Sequence, residues 1–342
     1  MHRTAILIYH RVAEVASDPL LLCVRPRHFA EHLEVLRRSY LPLSLSTLVD
    51  GLRAGRMPDR GIVLTFDDGY ADNLTQGRPL LERHDVPATV FVTTGEAGRP
   101  RELWWDELEQ ILLQPGRIEN PLRLRVGDGT GPGTDLPEYD LGAAAAYTDE
   151  DFRRCSGWTV LDRETPTIRQ HLYRMLHDGL RKASPETRWR ILDDLRARSN
   201  VPAAVRATHR PLRPDEIRKL AEGGLVEIGA HTVRHPVLSS LAVAEQHAEI
   251  VEGKARLEAM LDRPVQSFSY PYGCRSDYTA ETIGVVRAAG FTCACANLAG
   301  LVDSDADPYQ LPRVLVRDWG GDEFARRLME IWNAPGTPRR DR

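Results

Sequence analysis

A parallel α/β barrel carrying a long insertion is the fold that this 342-residue sequence predicts. Three observations predict it. Short, β-branched apolar runs alternate with amphipathic stretches, giving about seven strands separated by helices. Polar and ionisable residues gather at the C-terminal ends of those runs, where parallel α/β folds place their chemistry. Residues 99–211 break the alternation and read as mainly helical. The length is ample for a large core, and barrel enzymes use such a length as one domain.

Taken in order, Thr4–Tyr9 is a buried strand ending at His10-Arg11-Val12. Residues 26–38 are amphipathic, with Phe29, Leu33, Val35 and Leu36 on the apolar face. Residues 46–52 form a second helix, capped by Ser44 or Ser46. The run Gly61-Ile62-Val63-Leu64-Thr65-Phe66 is a strand buried on both faces, and Gly69 marks the sharp turn after it. A helix over 71–84 and a strand over 88–93 follow. In the insertion, helices are expected from Leu103 to Leu113, over 167–183 and over 185–198. A hairpin or exposed loop is expected at Val126–Thr130. The alternation resumes with a helix over 214–222, a strand at 227–230, a helix over 242–262, the strand Ser267–Tyr270, a helix over 279–289, and strands at 291–296 and 313–316. The Pro- and Arg-rich tail 334–342 is expected to be disordered.

The formal charge of −4 is spread over mixed acids and bases, which gives no argument for a nucleic-acid partner. Five cysteines, odd in number and irregularly spaced, do not suggest a disulfide framework; Cys293 and Cys295 read as small buried hydrophobes. Met1–Tyr9 lacks the apolar run of a signal peptide, and no stretch approaches a membrane span, so a cytoplasmic location is expected.

The chemistry gathers in two stretches. Asp67 and Asp68 stand side by side at the mouth of a buried strand, where successive side chains point in different directions. One carboxylate can hold a metal while the other moves a proton; the plain alternative is an Asp-Gly turn. His231 and His235 are four apart and can converge on one ion, although surface histidines also take that spacing. With Asp68 they make three ligands with an open position, the pattern of a catalytic metal centre.

Thr65-Phe66-Asp67-Asp68-Gly69, then His231-Thr232-Val233-Arg234-His235-Pro236, then Ser269-Tyr270-Pro271-Tyr272-Gly273 together resemble the polysaccharide deacetylase family (carbohydrate esterase family 4). The resemblance covers roughly 1–98 and 212–320. It implies a distorted parallel (β/α)7-type barrel of residues 1–98 and 212–333, with 99–211 as an insertion or cap. The family's late Leu-x-His motif is missing, and Leu7-Ile8-Tyr9-His10 stands at the start instead. This resembles the circularly permuted branch that includes biofilm poly-N-acetylglucosamine deacetylases. A lone histidine at a strand end is otherwise most simply structural.

By that resemblance the protein is a metal-dependent hydrolase of carbon–nitrogen bonds. It would remove an N-acetyl group from an amino sugar in a glycan, glycan precursor or glycoconjugate. Asp68, His231 and His235 would hold the ion, most simply Zn2+, with Co2+, Ni2+ or Fe2+ as alternatives. Asp67 is expected as general base, His10 as general acid and the Tyr272 backbone N–H as oxyanion donor. The family usually places an arginine where Ser269 stands; Arg313 is expected to orient Asp67 in its stead. Trp104, Trp105 and Trp319 are candidates to bind sugar; the alternative for each is packing. Competing functions are a deformylase or other non-peptide amide hydrolase on the same site, and a non-catalytic carbohydrate-binding barrel.

Overall fold

The computed structural model describes residues 3–126, 134–135, 137–202 and 204–333. The chain separates into two compact units, Met1–Glu14, Leu22–Gly98 and Pro211–Arg342 in one, Val15–Leu21 and Arg99–Arg210 in the other. The boundaries near 98 and 211 lie where the alternation of strands and helices stops and resumes. The segment Val15–Leu21, read from sequence as part of the barrel, belongs with the insertion instead. The Val160 N–H donates to the Pro19 carbonyl at 2.9 Å and ties it there, a link that no local pattern announces.

The first unit is built on one parallel sheet. Its strands are β1 (Thr4–Tyr9), β2 (Leu41–Pro42), β3 (Gly61–Phe66), β4 (Ala88–Val92), β5 (Val226–Ala230), β6 (Ser267–Ser269), β7 (Cys293–Cys295) and β8 (Val314–Leu315). The order is β7-β6-β5-β4-β3-β1-β8, with β2 also paired to β3. Cys295 bridges in parallel to Leu311, just ahead of β8, so the sheet curls round as a distorted barrel. The eighth strand, β2, was not expected: two residues are too few to leave a periodic signature.

Alternation along each strand sorts the side chains. Ala5, Leu7 and Tyr9 of β1, Ile62, Leu64 and Phe66 of β3, and Ala88, Val90 and Val92 of β4 join the large core packed beneath the helices. Ile6, Val63, Phe91, Cys293 and Cys295 point the other way, into a smaller interior cluster closed by Leu45, Leu48 and Val49. Burial raises both thiols, Cys295 to about 12, which suits inert packing residues.

Helices Pro26–Ser39, Arg78–His84, Pro214–Leu220, Val243–Leu261, Ala280–Ala288 and Gly321–Asn333 belong to this unit. Ser44, not Ser46, caps the helix Leu45–Arg53 by accepting from the Thr47 N–H. The expected single helix over 71–84 divides into a π-helical turn, Asn73–Gly77, followed by Arg78–His84. Pro79 explains part of that division: it cannot donate in the usual ladder.

The second unit holds helices Trp104–Leu113, Asp149–Cys155, Ile168–Lys182 and Pro185–Ala197. Arg125–Val126 pairs antiparallel with Thr134–Asp135; the expected turn residues Gly127–Thr130 lie outside the described residues, as does the tail 334–342. Trp104 and Trp105 are buried here, 3% and 5% exposed. Trp104 stacks on His177 at 5.2 Å and lies under the Arg188 guanidinium. This is the packing alternative for the pair; rings this little exposed have little surface to offer a sugar. Among the described residues no helix is long and apolar enough to cross a membrane.

Candidate active site

Strand register assembles the site. Tyr9 and Phe66 are partners in the β1–β3 pairing, and the Asp67 N–H donates to the Tyr9 carbonyl at 3.0 Å. His10 and Asp67, 57 residues apart in number, therefore leave adjacent strands at the same level. On the other side Ala230 pairs with both Val92 and Phe268, which sets His231 beside the ends of β4 and β6. All these residues leave the C-terminal ends of parallel strands, as the fold dictates.

The backbone is strained at the exits of β3, β5 and β6. Asp68 (φ 74°), Thr232 (φ 64°), His235 (φ 54°) and Tyr272 (φ 61°) are all left-handed, although none is glycine. Such conformations persist where surrounding bonds over-determine them, and they concentrate at functional sites.

Asp68, His231 and His235 come together as a buried set whose ligand atoms lie within 4.8 Å of one another. Asp68 Oδ1 is 3.6 Å from His231 Nε2 and 3.4 Å from His235 Nε2. Ligands held ~2.1 Å from a tetrahedral ion stand ~3.4 Å apart, so the donor spacing fits a zinc-sized ion. His231 Nδ1 lies 2.7 Å from the Ser269 carbonyl. A carbonyl only accepts, so Nδ1 carries the proton and Nε2 offers its lone pair toward the cluster. The rings of His235 and Tyr272 meet edge to face at 4.6 Å.

Asp67 has a different environment. Arg313 grips it through two parallel bonds, Nη1 to Oδ1 and Nη2 to Oδ2, each 2.8 Å. The same guanidinium donates to Thr65 Oγ1 (3.2 Å), to Ser269 Oγ (3.0 Å) and, through Nε, to the Ala296 carbonyl (3.2 Å). The small Ser269 side chain leaves the room into which Arg313 reaches from the approach to β8. Burial alone would raise Asp67, but the charge and hydrogen bonds of Arg313 together with the His231 and His10 charges outweigh it and hold the carboxyl far below the usual range. Asp68 is lowered too, by His231 and His235 against the effect of burial. Burial would lower His231; Asp67 and Asp68 outweigh it and raise the imidazole.

His10 is lowered by burial, with Asp68 and Asp67 pulling the other way. Its backbone is held from one side: Asn73 Nδ2 donates to the His10 carbonyl (2.9 Å), and Asp72 accepts from the Val12 N–H (3.1 Å) and from Arg11 Nε (3.0 Å). Arg11 lies over the Tyr70 ring at 4.5 Å. Sequence reading missed Asp72 and Asn73, which immediately follow the acid motif. No local signal marks them, since a polar pair is ordinary at the start of a helix.

Trp319 is placed by packing. Its ring lies under the Arg327 guanidinium at 4.5 Å and against the large core, and its carbonyl is 2.7 Å from His32 Nε2. Asp318 accepts from the Arg25 N–H (2.9 Å) and bonds His28 Nδ1 (2.6 Å) at the start of the helix Pro26–Ser39. Of the two alternatives for Trp319, these contacts describe packing.

The sequence profile of the polysaccharide deacetylase family matches residues 54–120 and 169–294, more than half of the chain. Those segments contain Asp67, Asp68, His231, His235 and Tyr272; His10 and Arg313 lie outside them. Poly-beta-1,6-N-acetyl-D-glucosamine N-deacetylase of Escherichia coli (strain K12) is 34% identical over 82 residues, 23% of this chain and 12% of that protein. The aligned stretch is thus a small part of the relative's length. Streptococcus pyogenes deacetylase PplD, solved in complex with acetate, superposes with a TM-score of 0.57 at 15% identity, covering 96% of this chain and 97% of that one. IcaB from Ammonifex degensii gives 0.56 at 19% identity, covering 95% and 97%. At these identities the likeness establishes a shared fold.

Proposed function

The chain belongs to the polysaccharide deacetylase family, and from that premise we propose that it is a metal-dependent hydrolase removing an N-acetyl group from an amino sugar in a glycan, glycan precursor or glycoconjugate. One observation carries this reading: two adjacent carboxylates sit in opposite environments, Asp67 clamped by Arg313 and Asp68 facing two imidazoles. Environments that divide the work of paired acids are how hydrolytic sites assign roles.

Asp68, His231 and His235 would hold a divalent ion, Zn2+ first and Co2+, Ni2+ or Fe2+ next, which supplies Lewis acidity toward the acyl oxygen and toward water when bound. Asp67 takes a proton from the attacking water at a carboxylate oxygen. Held ionised by Arg313, it is a weak base in the right place, and its contribution comes from position as much as basicity. The water oxygen bonds to the acyl carbon. The Tyr272 N–H donates to the oxygen that gains charge, an interaction worth roughly 3 kcal/mol. As the C–N bond breaks, the His10 imidazolium donates a proton to the departing nitrogen, leaving acetate and a free amine. Burial lowers His10, so a proton held on the ring is released more readily than from a free imidazole.

The test incubates metal-loaded protein and the Asp67→Asn variant with N-acetylated sugars from monosaccharide conjugates to oligomers, and quantifies acetate and formate. Acetate from the parent and not from the variant is the expected result. Formate would move the reading to a deformylase. Equal acetate from both proteins would remove Asp67 from the mechanism.

A further inference from the structure

The two histidines of the cluster stand at the ends of one tight loop, 231–235, and that loop is poorly stable by itself. It contains two left-handed non-glycine residues, Thr232 and His235. From above, the Thr94 and Gly95 N–H groups donate to the Thr232 and Val233 carbonyls at 3.1 and 2.7 Å, and the His235 N–H donates to Thr232 Oγ1 at 3.1 Å. Two successive amides, those of Val233 and Arg234, face the opposite way. Both donate to one oxygen, Glu249 Oε2, at 2.9 Å each. The other oxygen, Oε1, accepts from Arg234 Nε at 2.6 Å. Glu249 is 2% exposed and lies in the helix Val243–Leu261.

Four residues further along the same helix face stands Gly253. A Cβ there would lie 3.1 Å from the Thr232 carbonyl carbon and 3.2 Å from its oxygen. The helix backbone therefore runs close against the loop, and an added Cβ would have to push the Thr232 backbone away by a few tenths of an ångström. Glu249 collects the two amides while Gly253 sets the depth at which the loop rests.

We propose that Glu249 and Gly253 are positioning residues for the metal site: the helix Val243–Leu261 is a base plate that fixes His231 and His235 at ligand spacing. This inference rests on the metal-site reading above. Paired successive amides on a carboxylate form a rigid concave clasp, and partners that orient metal ligands from behind generally govern affinity about 10–100-fold. Once the clasp opens, the loop keeps the His235–Thr232 bond and the Thr94 and Gly95 bonds but loses its support from the helix, and the two imidazoles are held less closely at ligand spacing.

The experiment measures Zn2+ and Co2+ affinity of the metal-stripped full chain by chelator competition, together with its melting temperature. The variants are Glu249→Ala, Glu249→Gln, Gly253→Ala and Arg234→Ala. The expected result is a 10–100-fold loss of affinity for Glu249→Ala and about 10-fold for Glu249→Gln and Gly253→Ala, with an altered Co2+ visible spectrum. Arg234→Ala keeps both amide bonds and stays near the parent. A folded Glu249→Ala with parental affinity and spectrum would overturn the proposal, leaving Glu249 as ordinary helix–loop packing. Should that variant not fold, parental affinity in both Glu249→Gln and Gly253→Ala overturns it equally. A parent that binds no ion would instead overturn the metal site itself, and the positioning role with it.

Discussion

Each unit of the molecule buries an arginine almost completely, Arg313 in the barrel at 1% exposure and Arg169 in the insertion at 0%. Arg313 meets a carboxylate through two parallel bonds. Arg169 meets carbonyls: those of Leu112, Gly116, Ala144 and Ala145, at 3.3, 2.8, 2.6 and 3.0 Å. The consequences are opposite. Asp67 outweighs the effect of burial on Arg313 and raises it, whereas burial pulls Arg169 down to about 10, still charged at neutral pH. In the insertion the charge stitches chain segments together. In the barrel it holds an acid ionised where water would be activated. Nor is pairing with a carboxylate by itself the mark of a site, since Arg206 grips Glu102 within the insertion as part of its internal network. What distinguishes Asp67 is its neighbour Asp68, turned toward two imidazoles.

The largest effect should come from breaking the barrel's pair. Arg313→Met strands a buried carboxylate, and kcat is expected to fall by about 10²–10³-fold, while metal affinity changes far less. The sign with pH is fixed. Arg313 depresses Asp67, so that carboxylate contributes stability above its ordinary range, and the contribution disappears only as pH falls through the depressed value. Without Arg313 the Asp67 pKa climbs, the acidic limb of the rate profile moves to higher pH, and the variant loses more rate at pH 5 than at pH 8. A parallel profile, merely lower at every pH, would deny Arg313 its hold on Asp67.

The matched change in the insertion, Arg169→Met, should cost stability of about 3 kcal/mol, since several buried carbonyls lose their donor. Urea unfolding would read it. Activity per folded molecule is expected to stay near the parent; a loss of kcat comparable with that of Arg313→Met would erase the contrast between the two arginines.

Each unit also holds a histidine lowered to about 4: the buried His32, stacked on Phe324 at 4.0 Å, and the largely buried His177, stacked on Trp104 and Tyr173. Burial is the first cause in both. Their folded pKa lies below the unfolded value, so between pH 6.5 and 4 the unfolded chain takes up a proton that the folded one refuses. Stability should therefore be level above pH 6.5 and fall by up to about 3 kcal/mol per histidine as pH drops to 4. His32→Gln should flatten the barrel's share of that loss, and His177→Gln the insertion's, in urea titrations across the window. An unchanged slope in either variant would show that its histidine already titrates normally.

The smallest effect is expected from Cys295→Ala, about 1 kcal/mol of lost packing with unchanged metal content. A loss of bound metal would contradict the assignment of this residue to the inert interior.

Much of the barrel was legible because its strands are short, apolar and alternate with amphipathic helices. What escaped had no periodic signal. The strand Leu41–Pro42 is two residues long, and the helix Asp149–Cys155 is mostly polar. Its start was nonetheless written in the sequence: Thr148 and Asp151 form a capping box. The helix Gly321–Asn333 was likewise not anticipated, although Phe324 and Leu328 mark its buried face. In the site, the motif residues could be named because carboxylate and imidazole at strand ends have few other uses together. Of the supports, only Arg313 could be named. Glu249 looks like any acid on a helix, and Asp72 and Asn73 like any polar start to one.

By itself the sequence determined the fold class, the two acids and the two histidines, because hydrophobic period and ligand chemistry are local properties. Tertiary structure decided the rest. The register of β1 on β3 put His10 level with Asp67, and the room left by Ser269 let Arg313 arrive from another strand. The close passage of Gly253 brought Glu249 beneath the histidine loop. Each of these joins residues far apart in the chain, and their meeting is fixed by how strands pair and how closely backbones approach, which no single stretch of sequence encodes.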